Sequence, residues 1–166
     1  MRQSAVALAA VWCLTLISNA RAQIPAQDSI QGVELSAGQK VGIYRVGATF
    51  AATATGAFPG AMEVTIKYTP NSPGVGVTNN VVGGQWALAI YQNRQFLGSL
   101  LGTVTGGSAV WNSTGPTTTT AHVSIALKIL GGTGRYAGKS GSGSFRGTLS
   151  HLTFPPTITG TLGLSF

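Results

Sequence analysis

Residues 119–147 read TTAHVSIALKILGGTGRYAGKSGSGSFRG, and this stretch decides the fold. In its first part, residues 119–130, apolar side chains occupy odd positions and polar side chains most even positions. Because successive residues of a strand point to opposite faces of a sheet, this period of two predicts a strand with one buried face. The glycines that follow supply turn conformations, and a second alternating segment comes after them. The stretch therefore predicts a β-hairpin, in which Leu127 is expected opposite Phe145.

The same hairpin contains near-matches to two phosphate-binding motifs. Gly132, Gly134 and Ala137 fit G-x-G-x-x-A, and residues 138–140 (GKS) fit the end of a Walker loop. Both motifs require a helix after the loop, because the helix N-terminus faces the phosphate. Residues 140–150 read SGSGSFRGTLS instead, and such a run of glycine and serine is a poor helix former. We therefore predict no nucleotide partner and no bound cofactor.

The rest of the chain carries the same β signature. Glycine and threonine dominate, helix formers are scarce, and turn residues separate short apolar segments. We predict an all-β fold, a single antiparallel β-barrel of about eight strands, with a two-sheet β-sandwich as the alternative. The predicted strands cover residues 46–54, 61–69, 84–92, 95–105, 109–112, 118–130, 141–151 and 157–166.

The N-terminal segment resembles an export signal. An apolar run covers residues 5–17 behind Arg2, and residues 20–22 (ARA) form a small-x-small cleavage pattern. The protein is therefore expected to be secreted or periplasmic. The predicted organisation is a cleaved signal peptide at 1–22, an extended lead-in at 23–45 and a β-barrel domain at 46–166.

Charge is sparse and scattered. The chain carries a formal net charge of +7, from ten basic and three acidic residues. Proteins that bind nucleic acid concentrate basic residues on one face or tail, whereas here they occur singly except near Arg135, Lys139 and Arg146. We predict no nucleic-acid partner, and a weak attraction to anionic glycans or membrane surfaces is the alternative interpretation of the charge.

Histidines and acids are too few for familiar catalytic sets. The only histidines are His122 and His151, and the predicted hairpin places them on different faces without a clear third ligand. No metal site is therefore predicted. Asp28 is the only aspartate and falls in the predicted lead-in, so a Ser-His-Asp triad is not expected either.

Three segments together resemble a known group of proteins. KILGGTGRYAGKSGSGSFRGTL at 128–149 looks like the glycine-rich hairpin of small secreted barrels related to allene oxide cyclases and dirigent proteins. GGQWALAIYQNRQFLGSLLGTVTGG at 83–107 and FPPTITGTLGLSF at 154–166 are similar to uncharacterised bacterial proteins that carry this hairpin. The resemblance implies an eight-stranded antiparallel barrel with a hydrophobic cavity, which in the named families shapes cyclisation or radical coupling without a cofactor.

One departure from that group concerns the acid. The resemblance implies, for the cyclases, an acidic residue inside the barrel. The only acid in a predicted strand is Glu63, which shares its face with Thr65 and Lys67, whereas Met62 and Val64 occupy the other face. Glu63 is therefore expected to point to solvent, and no catalytic residue is assigned.

The predicted function is the binding of an apolar or amphipathic small molecule, with a cofactor-free cyclase or dirigent-like activity as its extension. Trp86 is expected in the core because its face is apolar. An extracellular interaction or structural module without a small ligand is the first alternative. A small outer-membrane barrel, suggested by the terminal phenylalanine, is the second, although membrane insertion is not favoured. The candidate ligand-binding residues are Tyr91, Trp111, Arg135 and Tyr136.

Overall fold

The computed structural model describes residues 25–71, 76–114 and 119–166. The predicted signal peptide at 1–22 lies outside the described residues. Within them, no helix is long and apolar enough to cross a membrane. The strands are β1 (Ala26–Val41), β2 (Tyr44–Gly56), β3 (Gly60–Tyr68), β4 (Thr78–Gln92), β5 (Gln95–Thr114), β6 (Thr119–Gly132), β7 (Gly141–Ser150) and β8 (Thr157–Ser165), with a 3-10 turn at Gly134–Tyr136.

The eight strands form one closed antiparallel barrel, which confirms the predicted fold class. Each strand pairs with its sequence neighbours, and β1 closes the barrel by pairing with β8 from Ala26↔Leu164 to Val33↔Thr157. Full closure removes the exposed strand edges that an open sheet would present. Eight strands leave an interior wide enough for side chains or one small ligand.

The predicted boundary between a lead-in and a barrel at residues 45 and 46 is wrong. Residues 26–41 are extended, as expected, but they form β1, which pairs with both β2 and β8. Its alternation is hard to see because the inward positions include Asp28, Gly32 and Glu34 beside Ile30. Pairing on both sides supplies the hydrogen bonds and burial that hold this polar segment in the barrel.

Two predicted strands, 95–105 and 109–112, are one strand, β5. A register shift between Val104 and Gly106 interrupts its pairing with β6. Because a bulge inserts one extra residue, the inward parity changes there from even to odd positions. Leu100 and Val104 are buried before the bulge, and Trp111 is buried after it. The count of eight was therefore correct although one strand was missed and another was divided.

The hairpin that decides the fold is confirmed, with a register two residues away from the expected one. Phe145 pairs with Ile125 rather than with Leu127. A shift of two keeps every side chain on its face, so the apolar pattern alone does not distinguish the two registers. The register is instead set by the connection between the two strands, which includes the 3-10 turn at Gly134–Tyr136.

Candidate functional site

The two ends of the barrel are built from different chemistry. Because neighbouring strands alternate in direction, the β2–β3 turn, the β6–β7 connection and the C-terminus share one end. Phe58, Tyr136 and Phe166 meet there, with ring centroids 5.5 to 6.2 Å apart. Edge-on and tilted contacts at such distances are favourable. We call this the aromatic end.

The opposite end carries titratable groups and a buried indole. We call it the polar end and define it by five residues that line one cavity of about 320 Å³. Several apolar side chains of the barrel wall line the same cavity from below. The five are Glu34, Arg45, Tyr68, Trp111 and His151.

A β-bulge in β2 turns Arg45 toward this cavity. Ala48 and Phe50 line the cavity from even positions, so an unbroken strand would turn Val46 inward and Arg45 outward. The register shift between Val46 and Ala48 reverses that parity, and Gly47 takes φ +81° at the bulge. Val46 is accordingly exposed, and Arg45 Nη1 donates a hydrogen bond to Gly38 O at 3.0 Å. Local irregularity thus brings a cation into the polar end.

Trp111 reaches the polar end through the bulge in β5. Its indole is 6% exposed and lies edge-on to the His151 ring, with centroids 5.4 Å apart. Among the described residues, its Nε1 has no hydrogen-bond partner. Packing and the contact with His151 therefore hold this ring.

Glu34 and His151 lie within ion-pair distance of each other at the polar end. Glu34 Oε2 lies 3.7 Å from His151 Nε2, and the side chains are 10% and 39% exposed, respectively. Burial raises the pKa of Glu34, while His151 and then Arg45 lower it in part. Burial also raises the pKa of Tyr68, against the opposing effect of Arg45. The site therefore favours the neutral forms of both Glu34 and Tyr68 relative to water.

A second cavity lies deeper in the barrel, next to the cavity of the polar end. This inner cavity of about 70 Å³ is lined only by apolar side chains, among them Met62, Ile125 and Phe145. The two cavities share part of their walls, so a polar-lined cavity lies next to an apolar one. The residues common to both are Phe50, Ile66, Val81, Ala109 and Leu149.

A second interior acid lies toward the aromatic end. Asp28 is 1% exposed, and its Oδ1 accepts a hydrogen bond from the Phe58 N–H at 2.7 Å. Its Oδ2 has no partner among the described residues. Burial raises the pKa of Asp28, and the bond from Phe58 lowers it only in part. Both interior acids lie on β1, so the expectation that Glu63 is the only strand acid is wrong, although Glu63 is exposed as predicted.

The four predicted ligand-binding residues are not brought together. Trp111 lines the cavity of the polar end. Tyr136 is half-buried in the aromatic end, and Arg135 is exposed beside it on the 3-10 turn. Tyr91 is exposed near the β4–β5 turn, where its ring lies 5.4 Å from that of Phe96. Only Trp111 therefore faces a cavity, and its role in binding stays a prediction.

Sequence reasoning missed Glu34, Arg45 and Tyr68 as neighbours. Glu34 and Arg45 fell in the segment taken as a lead-in, and the bulge that reorients Arg45 depends on tertiary pairing. The alternation of Asp28, Ile30 and Glu34 is the one signal that could have identified β1 as a barrel strand.

His122 and His151 lie apart, as predicted. His122 pairs with Thr148 and is exposed on the outer wall, whereas His151 lines the polar end. In the described ranges, no group of three or more His, Cys, Asp or Glu side chains is placed to hold a metal ion. Comparison with protein-family models, curated proteins and solved structures finds no match for this chain.

Proposed function

We propose that this protein is an exported barrel that binds an apolar or amphipathic small molecule at its polar end. The observation that carries the proposal is a polar-lined cavity of about 320 Å³ that shares five wall residues with an apolar inner cavity. A ligand would direct its apolar part inward and leave its polar group beside Glu34, Arg45 and His151. Sites of this kind combine apolar walls with a few polar groups that fix orientation.

Cavity size limits the ligand. The larger cavity is at the lower limit of small-molecule sites, about 300 to 1,000 Å³. The inner cavity of about 70 Å³ is smaller than a cavity of roughly 150 Å³ that accepts benzene in another protein. A narrow alkyl end fits there better than a ring. We therefore expect compact ligands, of medium-chain or monoterpenoid size.

The polar groups favour a ligand that accepts hydrogen bonds. Arg45 is a permanent donor, and His151 can donate from a ring nitrogen. Glu34 accepts when ionised and donates when protonated, and burial favours its protonated form relative to water. Carbonyl, hydroxyl and carboxylate groups are therefore the expected head groups, and a cationic head group is disfavoured by Arg45.

Two further considerations support this proposal. The resemblance to cyclase and dirigent-like barrels implies a hydrophobic cavity. It also implies, for the cyclases, an acid inside the barrel, and Asp28 and Glu34 occupy such positions although Glu63 does not. An outer-membrane barrel has an apolar outer band and a polar interior. Here the interior is apolar, and Glu63, Lys128 and Arg146 are exposed on the outer wall. That distribution disfavours membrane insertion.

Tryptophan fluorescence offers a direct test. Trp86 lies in the core and donates to Lys128 O at 3.3 Å, so Trp86→Phe would leave Trp111 as the reporter in the processed protein. We expect octanol, octanone or octanoate to shift Trp111 emission saturably. Ala109→Leu, which fills a wall common to both cavities, should weaken this response. Ala87→Leu, on the outer face, should not.

A second readout makes the test decisive. Mass spectrometry of organic extracts of the purified protein would identify a bound apolar molecule. Absence of any saturable emission change, together with an empty extract, would overturn the proposal. It would then favour the interaction or structural module.

Proton-transfer chemistry is a second candidate function, favoured by the Glu34–His151 contact at 3.7 Å. A carboxyl and an imidazole beside a bound carbonyl compound can remove and return a proton without a cofactor. Glu34→Gln should then abolish exchange of ligand α-protons with deuterium while Trp111 still reports binding. Equal exchange in both proteins would reject this activity and leave binding intact.

A further inference from the structure

Exposed apolar side chains concentrate around the polar end. β1 finishes and β2 begins at this end, and their connection presents Ile43 at 72% exposure. The β7–β8 connection lies at the same end and presents Phe154 at 98% exposure. We define two flanks of exposed apolar residues. The hairpin flank is Leu35, Val41, Ile43, Val46 and Val82, and the loop flank is Leu152 and Phe154.

The charge at this end is positive. The described chain has three acidic residues, of which Asp28 is buried, Glu34 lines the cavity and Glu63 lies on the outer wall. Lys40 is exposed near the end of β1, and Lys67 Nζ lies 4.0 Å from the centroid of the Tyr44 ring. The hairpin flank therefore has Lys40 and Lys67 beside it, and neither flank has an exposed acid to oppose an anionic partner.

We propose that the polar end docks on an anionic lipid bilayer, with Ile43 and Phe154 entering the headgroup region. Exposed apolar side chains combined with lysines are the features that bind proteins to the surface of anionic membranes. Exposed acidic and basic residues on the outer wall, among them Glu63 and Lys128, limit the depth of insertion to the end of the barrel. This is surface binding, and it does not depend on the ligand proposed above.

A second copy of the chain fits this end less well. Two identical faces meeting there would place lysines opposite lysines without an exposed acid between them. An anionic bilayer instead matches both the positive charge and the apolar tips. Docking would place the cavity against the membrane, which gives an apolar ligand a route that avoids water.

Vesicle co-sedimentation of the processed protein, without added ligand, tests the proposal. We expect binding to phosphatidylcholine vesicles that contain phosphatidylglycerol, and much weaker binding to phosphatidylcholine alone. Ile43→Ser combined with Phe154→Ser should reduce the partition coefficient about tenfold or more. Tyr91→Ser combined with Phe96→Ser removes an exposed aromatic pair near the other end and should leave binding unchanged. Salt at 1 M, where the Debye length is about 3 Å, should weaken binding.

Several results would overturn the proposal. These are equal losses in the two double variants, binding that is independent of phosphatidylglycerol, or no binding at all. Analytical sedimentation without vesicles gives one more such result. If the protein is a dimer that dissociates on Ile43→Ser, this surface binds a second copy of the chain rather than a membrane. Near-ultraviolet circular dichroism verifies that each variant is folded. Trp111 titration without vesicles is a separate measurement, so failure of docking and failure of ligand binding are distinguishable.

Discussion

The two halves of the barrel interior differ in how they are filled. Toward the aromatic end, side chains such as Leu100 and Leu162 are completely buried, and three aromatic rings cover them. Toward the polar end, Leu149 lines both cavities, and Glu34 and Arg45 lie beside the rings of that end. One half is therefore filled by packed side chains, and the other half retains unfilled interior volume. Such a division is physically reasonable, because unfilled interior volume costs stability.

Truncation of one leucine in each half tests this division most strongly. Leu162→Ala should lower the free energy of unfolding by about 3 to 5 kcal/mol, because it creates a cavity where packing is complete. Leu149→Ala enlarges an existing cavity and should cost about 2 to 3 kcal/mol. Urea denaturation measures both values. An equal or larger loss for Leu149→Ala would show that the halves are equally packed.

The Phe145 ring marks the boundary between the halves. A Cβ on Gly147 would lie 2.6 Å from the ring's Cζ and 2.1 Å from Thr159 O. Gly147→Ala should therefore destabilise the barrel by about 1 to 3 kcal/mol through overpacking. Gly131→Ala is the matched control, because nothing lies within 4 Å of its added Cβ. Thermal unfolding of both variants checks the prediction, and a neutral Gly147→Ala would mean that both the Phe145 ring and the β8 backbone at Thr159 shift to admit the Cβ.

The barrel and its hairpin were predictable because their signals are local. Alternation in 119–130, glycines at the turn and the scarcity of helix formers all indicate the same fold. The polar end was not predictable, because bulges reverse the inward parity of β2 and β5. Parity after a bulge depends on which residue the neighbouring strand leaves unpaired, and that information is not local. The residue type of Trp111 made it a candidate, but the sequence did not predict which residues surround it.

The two interior acids, one in each half, provide a comparison by pH. Burial raises the pKa of Asp28 above its ordinary value of 3.8, so stability is lost as the pH rises from that value through the folded-state pKa. Asp28→Asn keeps an acceptor for the Phe58 N–H and removes this loss. It should add about 1 kcal/mol of stability at pH 8 and little at pH 3.5.

Glu34→Gln should show the same sign with a smaller change, because His151 and Arg45 already stabilise the charged form of Glu34. Urea denaturation from pH 3.5 to 8 gives both profiles. Parallel curves for Asp28→Asn and the unmodified protein would contradict a buried, poorly compensated carboxylate. A larger change for Glu34→Gln than for Asp28→Asn would show that the carboxylate of Glu34, and not that of Asp28, is the less well compensated of the two.

Deletion of one tyrosine hydroxyl at each end should have the smallest effect. The Tyr68 hydroxyl donates to Ala37 O at 3.5 Å, which is long, so Tyr68→Phe should cost about 0.5 kcal/mol or less at pH 7. Burial raises the pKa of Tyr68 above its ordinary value of 10.0, so the unmodified protein loses stability as the pH rises through the folded-state pKa. Tyr68→Phe lacks that loss and should become the more stable protein near pH 11.

Tyr136→Phe is the control at the aromatic end, where the ring contributes by packing against Phe58 and Phe166. Loss of its hydroxyl should leave stability unchanged near pH 7, because the ring contacts that hold Tyr136 remain in the variant. Urea denaturation at pH 7, 9 and 11 measures both variants against the unmodified protein. A loss for Tyr136→Phe at pH 7 that exceeds the loss for Tyr68→Phe would show that the Tyr136 hydroxyl, and not only its ring, stabilises the aromatic end.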